Sequence, residues 1–137
     1  MIAILVAFVL AVGQPGETAH FKKCAEECSA CQRACDACAT HCARLLVQGK
    51  KDHVVTLQSC QDCATLCSSA ASIVSRRGPF SDTVCKACAE ACARCAKECD
   101  KHASDGEMKR CAEECRKCEQ VCREMLTKLK ETTIADR

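Results

Sequence analysis

Residues 24–42 read CAEECSACQRACDACATHC, and this stretch decides the fold. Its six cysteines are separated by steps that alternate between four and three residues. Such steps place side chains on one face of an α-helix, as at the a and d positions of a heptad. The stretch therefore predicts a helix that turns a row of thiols toward its neighbours.

The same spacing occurs three more times, and the four stripes together contain all eighteen cysteines. The stripes are Cys24, Cys28, Cys31, Cys35, Cys38 and Cys42; Cys60, Cys63 and Cys67; Cys85, Cys88, Cys92, Cys95 and Cys99; and Cys111, Cys115, Cys118 and Cys122. Four amphipathic helices with short connections favour an up-down-up-down arrangement. We predict an all-α, antiparallel four-helix bundle with a cysteine-lined core.

Capping and turn residues set the expected helix limits. Helix 1 is predicted from Thr18 to about Gln48, with Gly49 after it. Helix 2 is predicted from an N-cap at Asp52 to about Arg77, and helix 3 from an N-cap at Ser81 to about Ala103. Helix 4 is predicted from Glu107 to about Lys130. The outer faces carry the charge pairs Glu90–Arg94, Glu113–Lys117 and Glu119–Arg123. We assign residues 18–131 to the bundle and residues 132–137 to a C-terminal tail.

The composition fits one domain and excludes nucleic-acid binding. The chain has 137 residues, of which 48% are apolar but only 2% aromatic, so alanine and cysteine supply the apolar fraction. The net charge is +2, with both signs interspersed. A nucleic-acid surface needs a basic stripe and stacking aromatic rings, and this chain has neither.

The first twelve residues, MIAILVAFVLAV, are continuously apolar. They are too few to span a bilayer as a helix, but they resemble the apolar region of a secretory signal, with Ala11 and Gly13 as the small residues at positions −3 and −1 of a cleavage site. We assign residues 1–17 to a leader and linker. The leader predicts a periplasmic or secreted protein, and the alternative is a short helix that packs on the bundle of a cytoplasmic protein.

So many cysteines also raise the alternative of a disulfide-stabilised structural bundle. Neighbouring Cβ atoms on one stripe are ~5–6 Å apart, whereas a disulfide requires ~3.5–4.5 Å. A linear sulfur–metal–sulfur unit spans ~4.6 Å, taking the ~2.3 Å bond of a zinc thiolate. The stripe spacing therefore favours metal ions, and disulfides remain an alternative between helices.

Thiolates favour Cu(I), Zn(II) and iron–sulfur clusters, and charge separates these candidates. Zinc at four sulfurs per ion would leave a large buried negative charge, whereas one Cu(I) per thiolate is neutral. Straight helices also do not wrap a tetrahedral zinc site or a compact cluster. We predict multiple Cu(I) ions, with a zinc or iron–sulfur module as the alternative. The sequence shows no open group of carboxylates and histidines, so nothing in it suggests an enzyme.

The ends of the stripes differ in chemistry. At one end the seam carries His53, His102 and Met108, which are soft or borderline metal ligands and are expected to form a copper entrance beside Cys42. The other end carries Phe21, Ala70, Val74, Val84, Met125 and Leu129 and is mostly apolar. His20 and His41 fall off the stripes and are expected on the surface.

From about residue 20 to residue 126 the chain resembles the bacterial copper storage proteins. The resemblance rests on Cys85–Cys99 with the sequence ECDKH at residues 98–102, followed by the stripe from Cys111 to Cys122. It implies Cu(I) storage inside each bundle, assembly as a homotetramer, and a place for His102 near the entrance. Copper chaperones or cuproenzymes would be partners. Thr56 departs from the family pattern, because cytosolic relatives often have cysteine there.

Overall fold

The computed structural model describes residues 15–135, which form four α-helices. The helices are α1 (Pro15–Val47), α2 (Val54–Ser75), α3 (Ser81–Cys99) and α4 (Gly106–Ala135). Short 3-10 turns at Lys51–His53 and Asp100–His102 lead into α2 and out of α3. The predicted all-α bundle is confirmed. Of the predicted leader and linker at residues 1–17, residues 1–14 lie outside the described residues, whereas residues 15–17 already belong to α1, which begins before the expected Thr18. No helix in the described range is long and apolar enough to cross a membrane.

The four helices surround one core in the order of the chain. α1 packs against α2 and α4, and α3 packs against the same two helices. The diagonal pair α1 and α3 meets through side chains, with the Cys24 and Cys85 sulfurs 3.8 Å apart. Short connections make each helix antiparallel to the next, so one tubular core runs the length of the bundle.

The C-termini of α1 and α2 have the same backbone conformation and hydrogen bonds. Gly49 has φ 85°, and the amides of Gly49 and Lys50 donate to the carbonyls of Leu46 and Leu45. This pattern is the Schellman motif, in which a left-handed residue follows the helix. At the end of α2 the left-handed residue is Arg77, with φ 52°, so α2 ends at Ser75 and the predicted end near Arg77 is slightly late.

Two predicted N-caps are wrong. Asp52 lies within the 3-10 turn, and α2 begins at Val54 with His53 as its N-cap residue. Ser81 is the first residue of α3, and its hydroxyl donates to the Gly78 carbonyl at 2.7 Å. The Ser81 hydroxyl is thus used by the preceding turn, and Asp52 stands two residues before α2, so neither side chain caps its helix.

The apolar end of the tube is closed as predicted. Phe21, Ala70, Val74 and Met125 are buried there, while Val84 and Leu129 are partly buried against the same core. The Arg77 guanidinium lies 5.7 Å from the centre of the Phe21 ring and covers it from outside. Apolar side chains therefore close this end, and the nearby His20, which lines a surface cavity with Phe21 and Met125, is exposed.

Candidate functional site: a column of thiols and its entrance

All eighteen cysteines point into the tube. Each is at most 1% exposed, and each is a free thiol. The shortest separations between cysteine sulfurs are 3.6 Å, as between Cys28 and Cys122, whereas a disulfide bond is ~2.05 Å long. The alternative of a disulfide-stabilised bundle is therefore wrong for this structure, and the sulfurs form a reduced column.

The sulfur contacts follow the antiparallel register of the helices. Between α1 and α4, Cys28 meets Cys122 and Cys35 meets Cys115, both at 3.6 Å. Between α2 and α3, Cys67 meets Cys88 at 3.6 Å, and further along Cys60 meets Cys99 at 3.8 Å. The helices thus place their stripes at matching heights, and the column is continuous from one end to the other.

Neighbouring sulfurs also form groups that could hold metal ions. Within each group the sulfurs lie within 4.8 Å of one another, are fully buried, and come from three or four helices. Examples are Cys28, Cys88, Cys118 and Cys122; Cys31, Cys63, Cys67 and Cys92; Cys31, Cys35, Cys63 and Cys115; Cys35, Cys95, Cys111 and Cys115; and Cys38, Cys60, Cys99 and Cys111. Because several cysteines belong to two groups, adjacent sites share ligands.

The protonation of the column is set by burial and by contacts between sulfurs. Burial raises the pKa of the Cys42 thiol to about 12, because a thiolate is poorly solvated there. Within α4, the hydrogen bond between Cys111 and Cys115 raises the pKa of Cys115 and lowers that of Cys111. Such a pair holds one proton more tightly and one less tightly.

The predicted entrance residues come together at one end of the column. His53 is buried and His102 is partly buried, and their ring centres are 4.1 Å apart. Met108 is fully buried, with its Sδ atom 3.3 Å from Cys38 Sγ and 3.8 Å from Cys42 Sγ. Met108 therefore lies beside the two outermost thiols of α1, while the two histidine rings pair where α2 begins and α3 ends.

His53 carries an unsatisfied nitrogen. Its Nδ1 atom is buried and has no hydrogen-bond partner within the described chain, while Nε2 is 3.9 Å from Asp52 Oδ1. Buried polar atoms normally have a partner. A free imidazole nitrogen next to a second histidine ring could accept a metal ion.

Sequence reasoning missed the role of His41 and Asp105. His20 is exposed as expected, but His41 is partly buried and pairs with Asp105 at 2.8 Å. This hydrogen bond lowers the pKa of the Asp105 carboxyl. The two residues are far apart in sequence, so only the motif of aspartate before the helix at Gly106 could have suggested that Asp105 is an N-cap.

Thr56 occupies a seam position that lacks sulfur. It is fully buried, and its hydroxyl donates to Glu98 Oε1 at 3.5 Å. Glu98 also pairs with Lys101 at 2.5 Å. The wall of the tube near the entrance is thus partly polar on the side of α2 and α3.

Known proteins are similar to this chain in sequence and in fold. The family profile described as Csp, copper storage protein, matches residues 17–127. The chain is 34% identical over 86 residues to the uncharacterized cysteine-rich protein YhjQ of Bacillus subtilis strain 168. The matched region covers 63% of this chain and 78% of that protein.

Three solved structures with copper are similar over most of their length. The cytosolic copper storage protein of Streptomyces lividans with five coppers is 34% identical, with a TM-score of 0.73 over 83% of this chain and 98% of the other. Ccsp of the same organism, loaded with 10 copper equivalents, is 35% identical, with a TM-score of 0.70 over 80% and 85%. Cu(I)-bound BsCsp3 is 31% identical, with a TM-score of 0.71 over 78% and 98%. The chain belongs to the copper storage protein family.

Proposed function

We propose that this protein stores Cu(I), with the thiolates of all eighteen core cysteines as ligands. The observation that carries the proposal is the continuous column of free, fully buried sulfurs. Soft thiolates favour Cu(I), and one cuprous ion in place of each thiol proton leaves the interior neutral. The column offers capacity, which storage requires, and the family is one of metal storage.

The distances within the column suit Cu(I) after small side-chain rotations. Sulfurs four residues apart are 4.0 Å apart at Cys31 and Cys35, and 3.9 Å apart at Cys63 and Cys67. A linear sulfur–metal–sulfur unit needs ~4.6 Å, which a modest change in χ1 supplies. Contacts between helices of 3.6–3.8 Å provide further ligands for the same ion.

We also propose that copper enters between His53, His102 and Met108. The unsatisfied Nδ1 atom of His53 and the Met108 sulfur beside Cys42 support this assignment. Neutral imidazole and thioether ligands can hold a cuprous ion without displacing a proton. The ion then passes to thiolates, which bind it more strongly because they also supply charge.

Assembly, partners and location are proposals that rest on family resemblance and on the surface. We infer a homotetramer that self-associates through the outer face of α2, where Asp62 is the one charged residue in the helix sequence and Val54, Val55 and Leu66 are exposed. Light scattering should give four times the chain mass of 14.8 kDa, and a monomer would reject the tetramer. Copper chaperones or cuproenzymes would exchange copper with the store, for supply or for detoxification.

Export is predicted from the apolar leader, with a cytoplasmic location as the alternative that the cytosolic Streptomyces lividans relative supports. Mass spectrometry of the mature N-terminus separates the two. An intact Met1 would reject cleavage, and a mature chain that begins after Gly13 would reject the cytoplasmic alternative.

Anaerobic titration of the reduced apoprotein with Cu(I), in competition with a chelator, tests storage. We expect saturation near one ion per cysteine, on the order of eighteen per chain. A plateau at roughly one to four ions would reject storage. Zinc or iron in the purified protein, or the absorbance of an iron–sulfur cluster, would favour the alternative metal-binding module.

A further inference from the structure

Asp105 and His41 form a clamp beside the entrance, although neither belongs to the thiol column. Asp105 directly precedes α4, and its Oδ1 atom accepts hydrogen bonds from the backbone N–H groups of Glu107 at 2.9 Å and Met108 at 3.3 Å. This is N-capping geometry. Its Oδ2 atom accepts from His41 Nε2 at 2.8 Å. One carboxylate thus joins the first turn of α4 to the last part of α1.

The clamp fixes the backbone from which Met108 extends. Methionine has three flexible side-chain bonds, and the first amides of a helix lack internal partners. Without the cap and the tie to α1, the first turn of α4 would be free to fray. With them, the Met108 sulfur is held 3.3 Å from Cys38 Sγ and 3.8 Å from Cys42 Sγ.

We propose that Asp105 and His41 are positioning residues for copper loading. They hold the thioether of Met108 against the two outermost thiols of α1, so an arriving cuprous ion finds a neutral sulfur and two thiols in one place. The inference rests on the proposed storage function and adds a rate-controlling device to it. The clamp sets how fast the column fills, whereas the thiols set how much copper it holds.

Transfer of Cu(I) from its bathocuproine disulfonate complex to the reduced full-length apoprotein provides the test, with chelator absorbance followed by stopped flow. A lost capping interaction costs ~1 kcal/mol, and adding that energy to the barrier for loading slows it about fivefold. Asp105→Ala should therefore load about fivefold more slowly and should still reach the wild-type copper content. His41→Ala should act in the same direction. Asp105→Asn retains a capping oxygen and should restore most of the rate.

Ser81→Ala is the matched control. It removes a turn hydrogen bond at the opposite end of the bundle, so it should lower stability comparably without slowing uptake. If Ser81→Ala slows uptake as much as Asp105→Ala, general destabilisation explains the effect and the positioning role is rejected.

A double-mutant cycle separates action through Met108 from an independent effect. Met108→Leu removes the thioether and keeps the volume, so adding Asp105→Ala to it should slow loading no further. Additive slowing would overturn the inference. If the wild-type chain fills normally and the Asp105→Ala variant fills at the same rate, the positioning role alone is overturned. A wild-type chain that binds only a few ions overturns the storage function as well.

Discussion

Replacing Cys31 by serine should remove more copper than replacing a sulfur near the end of the column. The Cys31 sulfur lies 3.7 Å from that of Cys115, 3.8 Å from that of Cys92 and 4.0 Å from that of Cys35. It belongs to two four-sulfur groups. Serine nearly preserves the shape of cysteine, but its hydroxyl is a poor ligand for a soft cuprous ion.

The expected loss follows from charge and shared ligands. If each thiolate balances one Cu(I), removing a sulfur at the end of the column should cost about one ion, and removing Cys31 should cost about two because two groups lose a ligand. Cys24→Ser is the comparison, since Cys24 is the first cysteine of α1 and lies at the apolar end of the column, with its sulfur 3.8 Å from that of Cys85. The buried hydroxyl should lower the unfolding free energy of the apoprotein by about 1–3 kcal/mol.

The assay is a chelator-competition titration under anaerobic conditions, with copper measured by elemental analysis and folding checked by circular dichroism. Cys31→Ala serves as a second variant, because it removes the ligand without burying a hydroxyl. An equal loss of about one ion in the Cys31 and Cys24 variants would refute the shared-ligand reasoning. No loss in any variant would refute the assignment of core thiols as ligands.

Three further predictions follow from the same geometry. Because the pKa of the Cys42 thiol is raised to about 12, copper must displace its proton. The Cu(I) affinity should therefore fall about tenfold for each pH unit of acidification and each proton released. An affinity independent of pH would contradict this. Replacing His53 and His102 by alanine and Met108 by leucine should slow uptake and leave capacity nearly intact, and an unchanged loading rate would remove the entrance assignment. Gly49→Ala should cost about 1 kcal/mol of stability, or about 4 °C in Tm, because an added Cβ meets nothing within 4 Å and only the left-handed backbone opposes it.

The core could be predicted from the sequence because an apolar stripe along a helix is buried against the neighbouring helices. Steps of three and four residues put every cysteine on an inward face, and the structure buries all eighteen. The convergence of His53, His102 and Met108 followed from extending the same stripes. Antiparallel packing then placed their ends together.

The helix ends and the clamp could not be predicted from the same periodicity. Asp52 and Ser81 have the right residue types for caps, but local 3-10 and turn hydrogen bonds compete with capping. Lys117 pairs with Glu114 at 2.5 Å in place of the predicted Glu113, because residues three apart also lie side by side on a helix. The His41–Asp105 contact depends on how α1 and α4 are aligned, which no local pattern specifies.

The location of copper in crystals of the loaded protein tests the central claim most directly. Anomalous diffraction at the copper absorption edge should show a file of ions inside the bundle, each within bonding distance of cysteine sulfurs and extending from Cys42 toward Cys122. Copper bound only on the outer surface, or a core in which the sulfurs are joined as disulfides, would contradict the account.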